Sequence, residues 1–233
     1  MAADNENKQM IVLDLEMNPV PKGEGSGLAR EVIEIGAVRV CGNAITDSFR
    51  TYVRPSLSNT VSPYVRRLTG IHDSNLRNAP SFGEAVRELS EWIGTETETV
   101  ICAWSDSDRR QLMEESGAKF VKLPVNMVSY MDVQHKHHEM MGADITRTQM
   151  ALHKAAEQYG IMMSRKESHS ALYDARITAE ILLVLIDSDK CRKQAEFLKR
   201  ASWDSKETND FGFCLGDLYR GIFERTDMQP ARA

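Results

Sequence analysis

Two carboxylates lie two positions apart inside a short apolar segment near the start of the chain. Asp14 and Glu16 alternate there with Leu13 and Leu15, and the side chains of a β-strand alternate between its two faces. Both acids would then project from one face, about 6 Å apart, where they repel each other by roughly 3 kcal/mol at an effective dielectric of about 20. A bound cation would remove that repulsion. A strand end at which both acids are solvated explains the same spacing, so this pair alone leaves both interpretations open.

Two further strings place acids at the start of predicted helices. His169 precedes Asp174 by five residues, so the two side chains can converge only if His169 lies in the loop before the helix and Asp174 in its first turns. In the second string Asp106 is a candidate N-cap, which leaves Asp108 to point elsewhere. Taken singly, the segment with His169 and Asp174 also fits a surface histidine followed by an acid near a helix N-terminus. The segment with Asp106 and Asp108 is also explained by helix capping alone.

The elements that must position these acids have the pattern of an α/β domain. Residues 11–16, 31–40 and 46–54 read as strands, with a hairpin turn at Gly42-Asn43. Further strands are predicted at 99–104 and 125–132, and helices at 81–94 with Ser81 as N-cap, 106–116 ended by Gly117, 147–159 and 171–187. Three hairpin-linked strands followed by alternating helices and strands predict a mixed sheet flanked by helices.

Composition and length indicate one soluble domain. The chain has 233 residues, of which 42% are hydrophobic and 27% charged, and this excludes fibrous and disordered classes. We expect a disordered lead at 1–9, the domain at 10–188 and a helical C-terminal extension at 189–233 that packs on it. The first ten residues do not resemble a secretory signal, and the longest apolar run, 181–186, is far shorter than the roughly 20 residues of a membrane span. Four scattered cysteines form no CxxC pair. We therefore expect a cytoplasmic protein without a membrane partner, a zinc module or a disulfide framework.

Together the three acidic strings resemble the motifs of the DEDDh exonuclease superfamily, the DnaQ-like branch of the ribonuclease H-like fold, over roughly residues 10–188. The matching positions are Asp14-Leu15-Glu16, then Trp104 to Asp108 with Leu112, then His169, Ala171, Asp174 and Ala175. A Glu-Ile-Gly-Ala-Val strand at 34–38 and a Leu-Thr-Gly-Ile turn at 68–71 also match. The resemblance is strongest to the branch of RNA-trimming exonucleases and KapD-like bacterial proteins, in which a tryptophan precedes the second-motif acid. The distance from Trp104 favours Asp108 over Asp106 for that position.

The resemblance implies a fold and a chemistry. The fold is a five-stranded mixed sheet, with three antiparallel strands followed by two parallel ones. The chemistry is two-metal phosphodiester hydrolysis from a 3′ end, which releases nucleoside 5′-monophosphates. Asp14, Glu16 and Asp174 would hold one ion, and Asp14 with Asp108 the other; Mg²⁺ or Mn²⁺ suits such an oxygen-only set. Catalysis would rest on Glu16 and on His169, the general base that accepts a proton from the attacking water.

The net charge of −5 is unusual for a protein that binds nucleic acid. Four of these charges belong to the implied site, so two bound divalent ions would leave the protein near −1. The expected partner is the 3′ end of a single strand, with RNA favoured and DNA left open. By resemblance Leu68 and Thr69 would contact the terminal nucleotide. The candidates for drawing in the phosphates are Arg66, Arg67, Arg165 and Lys166, each of which is also explained as a solvated surface charge.

Two other functions stay open at this stage. The same fold could serve as a regulatory or polymerase-associated binding module, although such a module has no physical need for clustered carboxylates. A small-nucleotide phosphodiesterase would use the same metals. The tract His135-Lys136-His137-His138 lacks the partner ligands of a zinc site, so we expect a solvated helix or loop. The oligomeric state, a homodimer included, is left open.

Overall fold

The structure, a computed structural model, describes residues 8–21, 27–94, 98–124, 129–142, 150–164 and 167–207. Its strands are β1 (Lys8–Pro19), β2 (Arg30–Cys41), β3 (Ala44–Tyr52), β4 (Glu98–Ala103) and β5 (Ser129–Asp132). Its helices are α1 (Pro63–Thr69), α2 (Asp73–Leu76), α3 (Phe82–Ile93), α4 (Asp106–Ala118), α5 (Val133–Met141), α6 (Leu152–Gln158), α7 (Ala171–Ile186) and α8 (Ser188–Glu207).

The five strands form one mixed sheet in the order β3-β2-β1-β4-β5. Strand β2 pairs antiparallel with both β1 and β3, whereas β4 pairs parallel with β1 and β5. The predicted arrangement of three antiparallel strands followed by two parallel ones is therefore confirmed. The predicted hairpin at Gly42-Asn43 joins β2 to β3, and Gly42 there adopts a positive φ of 57° that suits a tight turn.

Alternating residues of β1 belong to two different cores. Ile11, Leu13 and Leu15 pack with α3 and α4 on one face of the sheet. Val12 lies on the opposite face, in a core shared with α7. Because side chains alternate, Asp14 and Glu16 share the face of Val12, which is the face that α7 covers. The predicted alternation thus places both acids on the side of the sheet where α7 begins.

The helices agree with the predicted ones in position, with corrections at their ends. Helix α3 begins after Ser81 in a capping box with Glu84, as predicted. The N-cap of α4 is Ser105, which accepts the Ser107 N–H, so the expected cap at Asp106 is wrong. Helix α4 also continues through Gly117 and ends at Ala118, because a glycine without a positive φ does not interrupt a helix. Helices α1 and α2 were not predicted, since seven and four residues are too few to show helical periodicity. Helix α5 covers the histidine tract, for which the sequence left helix and loop open.

Parts of three predicted elements lie outside the described residues. These parts are residues 125–128 of the fifth strand, 147–149 of the helix that is described as α6, and the extension beyond residue 207. Helix α8 accounts for the described part of the extension, and it packs against α5 and α7. Within the ranges given above, no helix is both long and apolar enough to cross a membrane.

The histidine tract is largely buried, which corrects the expectation of a solvated segment. Only His135 is exposed, beside Glu139 at 3.2 Å. His137 has no exposed surface and His138 is 7% exposed, and the His137 ring packs between those of Trp104 and Tyr159. The His137 Nδ1 atom lies 2.8 Å from the Tyr159 hydroxyl, within hydrogen-bond distance. Burial, followed by the neighbouring His138, lowers the pKa of His137 to about 4.

Candidate active site

Strand β1 places the first two acids at the point where its regular pairing ends. Asp14 lies opposite Gly36 and Glu16 lies opposite Glu34 in the antiparallel ladder with β2. The register shifts between Glu16 and Met17, which is a bulge of the kind often found beside active sites. The two acids therefore lie on one face at the edge of the regular ladder, as the sequence predicted.

A close approach between β2 and α7 brings the third acid to the same place. A Cβ atom added to Gly36 would lie 2.1 Å from the backbone of Ala171, so only glycine allows α7 to begin this near the sheet. The Ala171 N–H donates to the buried Glu34 carboxylate at 3.3 Å. Asp174 is in the first turn of this helix. The start of α7 thus delivers Asp174 to the face that carries Asp14 and Glu16.

His169 lies in the loop before α7, where the spacing of five residues placed it. Its φ of 65° is in the left-handed region, which histidine occupies more readily than most residues. The His169 N–H donates to Asp174 Oδ2 at 3.2 Å. One ligand atom each from Glu16, His169 and Asp174 lie within 4.8 Å of one another, and the imidazole is exposed. The structure therefore brings these three predicted site residues together.

Asp108, rather than Asp106, reaches the site from the start of α4. Its carboxylate is 6% exposed and accepts the Leu15 N–H at 3.3 Å. This N–H is free of strand pairing because the ladder between β1 and β4 ends at Val12 and Cys102. Asp106 points outward and pairs with Arg109 at 2.6 Å and with Arg110 at 3.2 Å. The geometry thus agrees with the choice of Asp108 made from the spacing to Trp104.

The four carboxylates open into one cavity of about 500 Å³. Asp14, Glu16, Asp108 and Asp174 all line it, although Asp14 and Asp108 are outside the tight group formed by Glu16, His169 and Asp174. Apolar and aromatic walls are supplied by Tyr64, Leu68 and Trp104. The cavity thus combines acids with surfaces on which a flat ring could stack.

The acids raise one another's pKa values because they are crowded and shielded from water. Burial, followed by the charge of Asp108, raises the pKa of Asp14 well above its usual range. Burial, followed by the charge of Glu34, raises the pKa of Glu16 to about 9. Burial also raises the pKa of Asp108 to about 6 and increases that of Asp174. Four such groups ionise together only when cations neutralise them.

The donor set fits divalent metal ions. Among the described residues, the buried Asp174 Oδ1 atom has no hydrogen-bond partner, and an orphaned carboxylate oxygen inside a protein needs a counterpart. All four cavity acids offer hard oxygen ligands, which Mg²⁺ and Mn²⁺ prefer. The cavity thus offers four carboxylates that could hold divalent ions, and none of the four forms an ion pair with a Lys or Arg of the described residues.

The predicted substrate residues are brought to the cavity only in part. Leu68 and Thr69 line it, but the Thr69 hydroxyl is engaged with the Val65 carbonyl and the Ile71 N–H at the end of α1. Arg66 does not line the cavity, because its guanidinium pairs with Asp73 at 2.9 Å. Arg67 is exposed and also outside the cavity lining. Arg165 and Lys166 lie outside the described residues.

Two residues near the site were not singled out from the sequence as site residues. Glu34 is fully buried beside Glu16 and forms an ion pair with Arg50 at 2.5 Å. An acid inside the apolar run of β2 was the signal that could have identified it, since a lone charge is costly there. Arg30, at the first position of β2, lines the cavity. No feature of the sequence around Arg30 predicted that it lines the cavity, because an arginine at the end of a strand is common on a protein surface.

Comparison with known proteins was consistent with this geometry. The sequence pattern of the family described as exonuclease matches residues 11–182. The chain belongs to the exonuclease family. Its known relatives place this exonuclease in the DEDDh branch of 3′-to-5′ hydrolytic nucleases, a branch that uses divalent metal ions. The membership of this family that the three acidic motifs predicted is thereby confirmed.

Two relatives illustrate how far the similarity extends. The chain is 25% identical over 183 residues to the probable 3′-5′ exonuclease KapD of Bacillus subtilis, covering 78% of this chain and 85% of that protein. It is 27% identical over 205 residues to ERI1 exoribonuclease 2 of Danio rerio, where the match covers 78% of this chain but 36% of the relative. The chain therefore corresponds to most of the first protein and to about a third of the second.

A solved structure shares the fold. The nuclease domain of 3′hExo, a DEDDh family member bound to rAMP, superposes with a TM-score of 0.69 at 21% identity. The match covers 82% of this chain and 96% of that domain. The ribonuclease H-like architecture of this exonuclease is therefore confirmed, including the sheet that carries the acids.

Proposed function

We propose that this exonuclease uses two divalent metal ions to remove nucleoside 5′-monophosphates from the 3′ end of a single strand, with RNA as the favoured substrate and DNA as a second. The observation that carries the proposal is the convergence of four carboxylates in one cavity, with the Asp174 Oδ1 atom buried and unpartnered. The exoribonuclease name of the Danio rerio relative supports RNA. DNA is kept because PolC-type DNA polymerases are also among the relatives.

The proposed ligands form two groups, one for each metal ion, and Asp14 belongs to both. Asp14, Glu16 and Asp174 would hold the ion on the side of the attacking water, and Asp14 with Asp108 would hold the ion on the side of the leaving oxygen. When bound, such ions lower the pKa of a coordinated water and neutralise charge on the phosphate. The Leu15 N–H orients the Asp108 carboxylate, and the His169 N–H orients that of Asp174. These hydrogen bonds limit the reorganisation that substrate binding requires.

His169 is the proposed general base. Its exposed imidazole lies beside the oxygens of Glu16 and Asp174, where a ring nitrogen can take the proton of the attacking water. Glu16 would hold the protonated ring through its negative charge. Because His169 is exposed and lies outside the cavity lining, its imidazole can pass that proton to solvent. No other described histidine is grouped with the cavity acids.

The terminal nucleoside would occupy the apolar part of the cavity. Tyr64 is 65% exposed and Trp104 is 8% exposed, and both line the cavity. Trp104 is held by the hydrogen bond from its indole N–H to the Met150 carbonyl at 2.9 Å. A fixed indole and an accessible phenol give two aromatic surfaces for base stacking. Leu68 and Thr69 would contact the same nucleotide. Substrate roles for Arg66 and Arg165 stay predictions, as does the cytoplasmic location.

The test compares matched acidic variants on end-labelled substrates. Asp108→Asn and Asp174→Asn should each lower turnover of a 5′-labelled RNA by about 100-fold or more, by analogy with the loss of one transition-state contact. The matched control is Asp106→Asn, which removes a neighbouring acid outside the cavity and should keep activity. His169→Gln should lower turnover by about 100-fold or more while calorimetry shows retained Mn²⁺ binding.

Substrate class is decided by parallel time courses on single-stranded RNA, DNA and a dinucleotide, each with Mg²⁺, with Mn²⁺ and with chelator. We expect ladders that shorten from the 3′ end in the presence of metal, with RNA cleaved fastest. Activity in chelator, or full activity of Asp174→Asn, would refute the proposed metal site. Cleavage restricted to the dinucleotide would favour the small-nucleotide phosphodiesterase.

A further inference from the structure

Arg30 is the one basic residue among the described residues that line the cavity. It is exposed, and within the described ranges its guanidinium forms neither a hydrogen bond nor an ion pair. Other arginines around the site are engaged: Arg50 pairs with Glu34 and Arg66 pairs with Asp73. The cavity therefore presents a single cation that is free to take an external anion.

The backbone of Arg30 is held at a defined place. It pairs with Pro19 at the end of the β1–β2 ladder, and its carbonyl accepts the Gln111 amide at 3.0 Å. The same Gln111 amide donates to the buried Glu115 at 3.1 Å. An anchored backbone lowers the entropy lost when a long side chain is immobilised by a ligand.

A buried ionic cluster stabilises the neighbouring positions. Lys119 lies 2.7 Å from both Glu31 and Glu115, and Glu115 accepts the Val32 N–H at 2.8 Å. Glu31 also accepts backbone N–H groups of the segment after β3. These contacts fix the backbone of β2 directly after Arg30.

The position of Arg30 along the sheet separates it from the reacting centre. Its partner Pro19 is three residues beyond Glu16, or about 10 Å at the rise of an extended strand. A guanidinium at the edge of the site suits a neighbouring phosphate better than the scissile one.

We propose that Arg30 binds a backbone phosphate of the substrate strand next to the scissile linkage, and so favours oligonucleotides over isolated phosphodiesters. This inference rests on the proposed exonuclease activity. The contact is a charge-assisted hydrogen bond between the exposed guanidinium and a phosphodiester oxygen. It gives an acidic protein local attraction for a polyanion without a basic face.

The test pairs two substrates with three variants. The p-nitrophenyl ester of thymidine 5′-monophosphate contains one phosphodiester and no neighbouring phosphate, whereas an eight-nucleotide strand contains several. Arg30→Ala should raise KM for the strand by about tenfold, the usual effect of losing a hydrogen bond to a charged group. The kcat for the strand, and both kcat and KM for the ester, should stay unchanged. The dependence of log KM on log salt should weaken by about 0.7.

Two further variants serve as controls. Arg30→Lys keeps the charge and should recover part of the affinity. Arg87→Ala removes an equal charge from the exposed face of α3, where Arg87 pairs with Glu91, and should behave as wild type. Fluorescence anisotropy of the labelled strand measures binding without cleavage.

The outcomes separate the two proposals. Equal strand affinity of Arg30→Ala and wild type overturns the inference while the exonuclease assignment stands. An equal loss on the ester and on the strand also overturns it, because Arg30 would then act on the carboxylate site itself. A wild-type protein that binds the strand without cleaving it, in an Arg30-dependent manner, refutes the exonuclease proposal and supports the phosphate contact.

Discussion

The contact between Gly36 and the start of α7 predicts that one added methyl group will displace Asp174, a proposed metal ligand. In Gly36→Ala the new Cβ would lie 2.1 Å from the Ala171 carbonyl carbon and the Leu172 nitrogen. Both atoms are backbone, so no side-chain rotation relieves the overlap. The separation must widen by about 1.3 Å to reach the ordinary contact distance of 3.4 Å. Because Asp174 lies in the same helical turn, its carboxylate moves with the helix.

The size of the effect follows from that displacement. A misplacement of about 1 Å in a catalytic group can cost about 100-fold in rate, so we expect turnover of Gly36→Ala to fall by about that factor. Overpacking a close contact costs about 1–3 kcal/mol of unfolding free energy. The greater strand propensity of alanine offsets about 0.5–1 kcal/mol of this cost. The variant should therefore fold, with stability reduced by much less than its activity.

The assay combines turnover on 5′-labelled RNA with the free energy of unfolding in urea. Gly117→Ala is the matched control, because a Cβ at Gly117 in α4 meets no atom within 4 Å. That variant should gain up to about 1 kcal/mol from helix propensity and retain full turnover. Wild-type turnover in a folded Gly36→Ala protein would refute the conclusion that this contact sets the position of Asp174.

Two further predictions concern buried charges away from the reacting centre. Lys119→Met leaves Glu31 and Glu115, both fully buried, without their shared cation, and should lower the unfolding free energy by about 3 kcal/mol or more; a loss as small as that of the exposed pair variant Arg87→Ala would contradict this. The pKa of His137 is about 4 when folded and 6.5 as its reference value, so below pH 6.5 the unfolded chain binds the additional proton. The contribution of His137 to the free energy of unfolding is therefore fully present above pH 6.5 and is lost as the pH falls from 6.5 through 4. The total loss is about 3 kcal/mol. The free energies of unfolding of wild type and His137→Gln, measured in urea across this pH range, should depend differently on pH. Parallel pH dependences would disprove the lowered pKa of His137.

Local patterns were enough to predict much of the fold and the identity of the acids. Alternation in β1 put Asp14 and Glu16 on one face because extended backbone turns successive side chains to opposite sides. The spacing of five residues put His169 before α7 and Asp174 inside it. Ser81 and Glu84 marked the start of α3 through their reciprocal hydrogen bonds. Each of these features depends on the dihedral geometry of a few consecutive residues.

Other features depended on which distant residues became neighbours. Burial of His137 and His138 was missed because the periodicity of α5 does not report which of its faces meets the core. Asp106 and Asp108 are the same residue type two positions apart, so residue type does not distinguish them. The structure does, because the β1–β4 ladder ends before Leu15 and leaves its N–H to bind the Asp108 carboxylate. Arg66 was expected at the cavity, but Asp73 engages its guanidinium.

The sequence by itself determined the chemical character of this protein, which is a set of acids and one histidine carried by an α/β chain. The tertiary structure alone decided their convergence, because Gly36 lets α7 approach β2 and the mixed sheet brings α4 to the same edge. It also decided that Arg30 faces the cavity. Strand and helix periods repeat over two to four residues, whereas the distance between Asp14 and Asp174 is set by packing across the whole sheet.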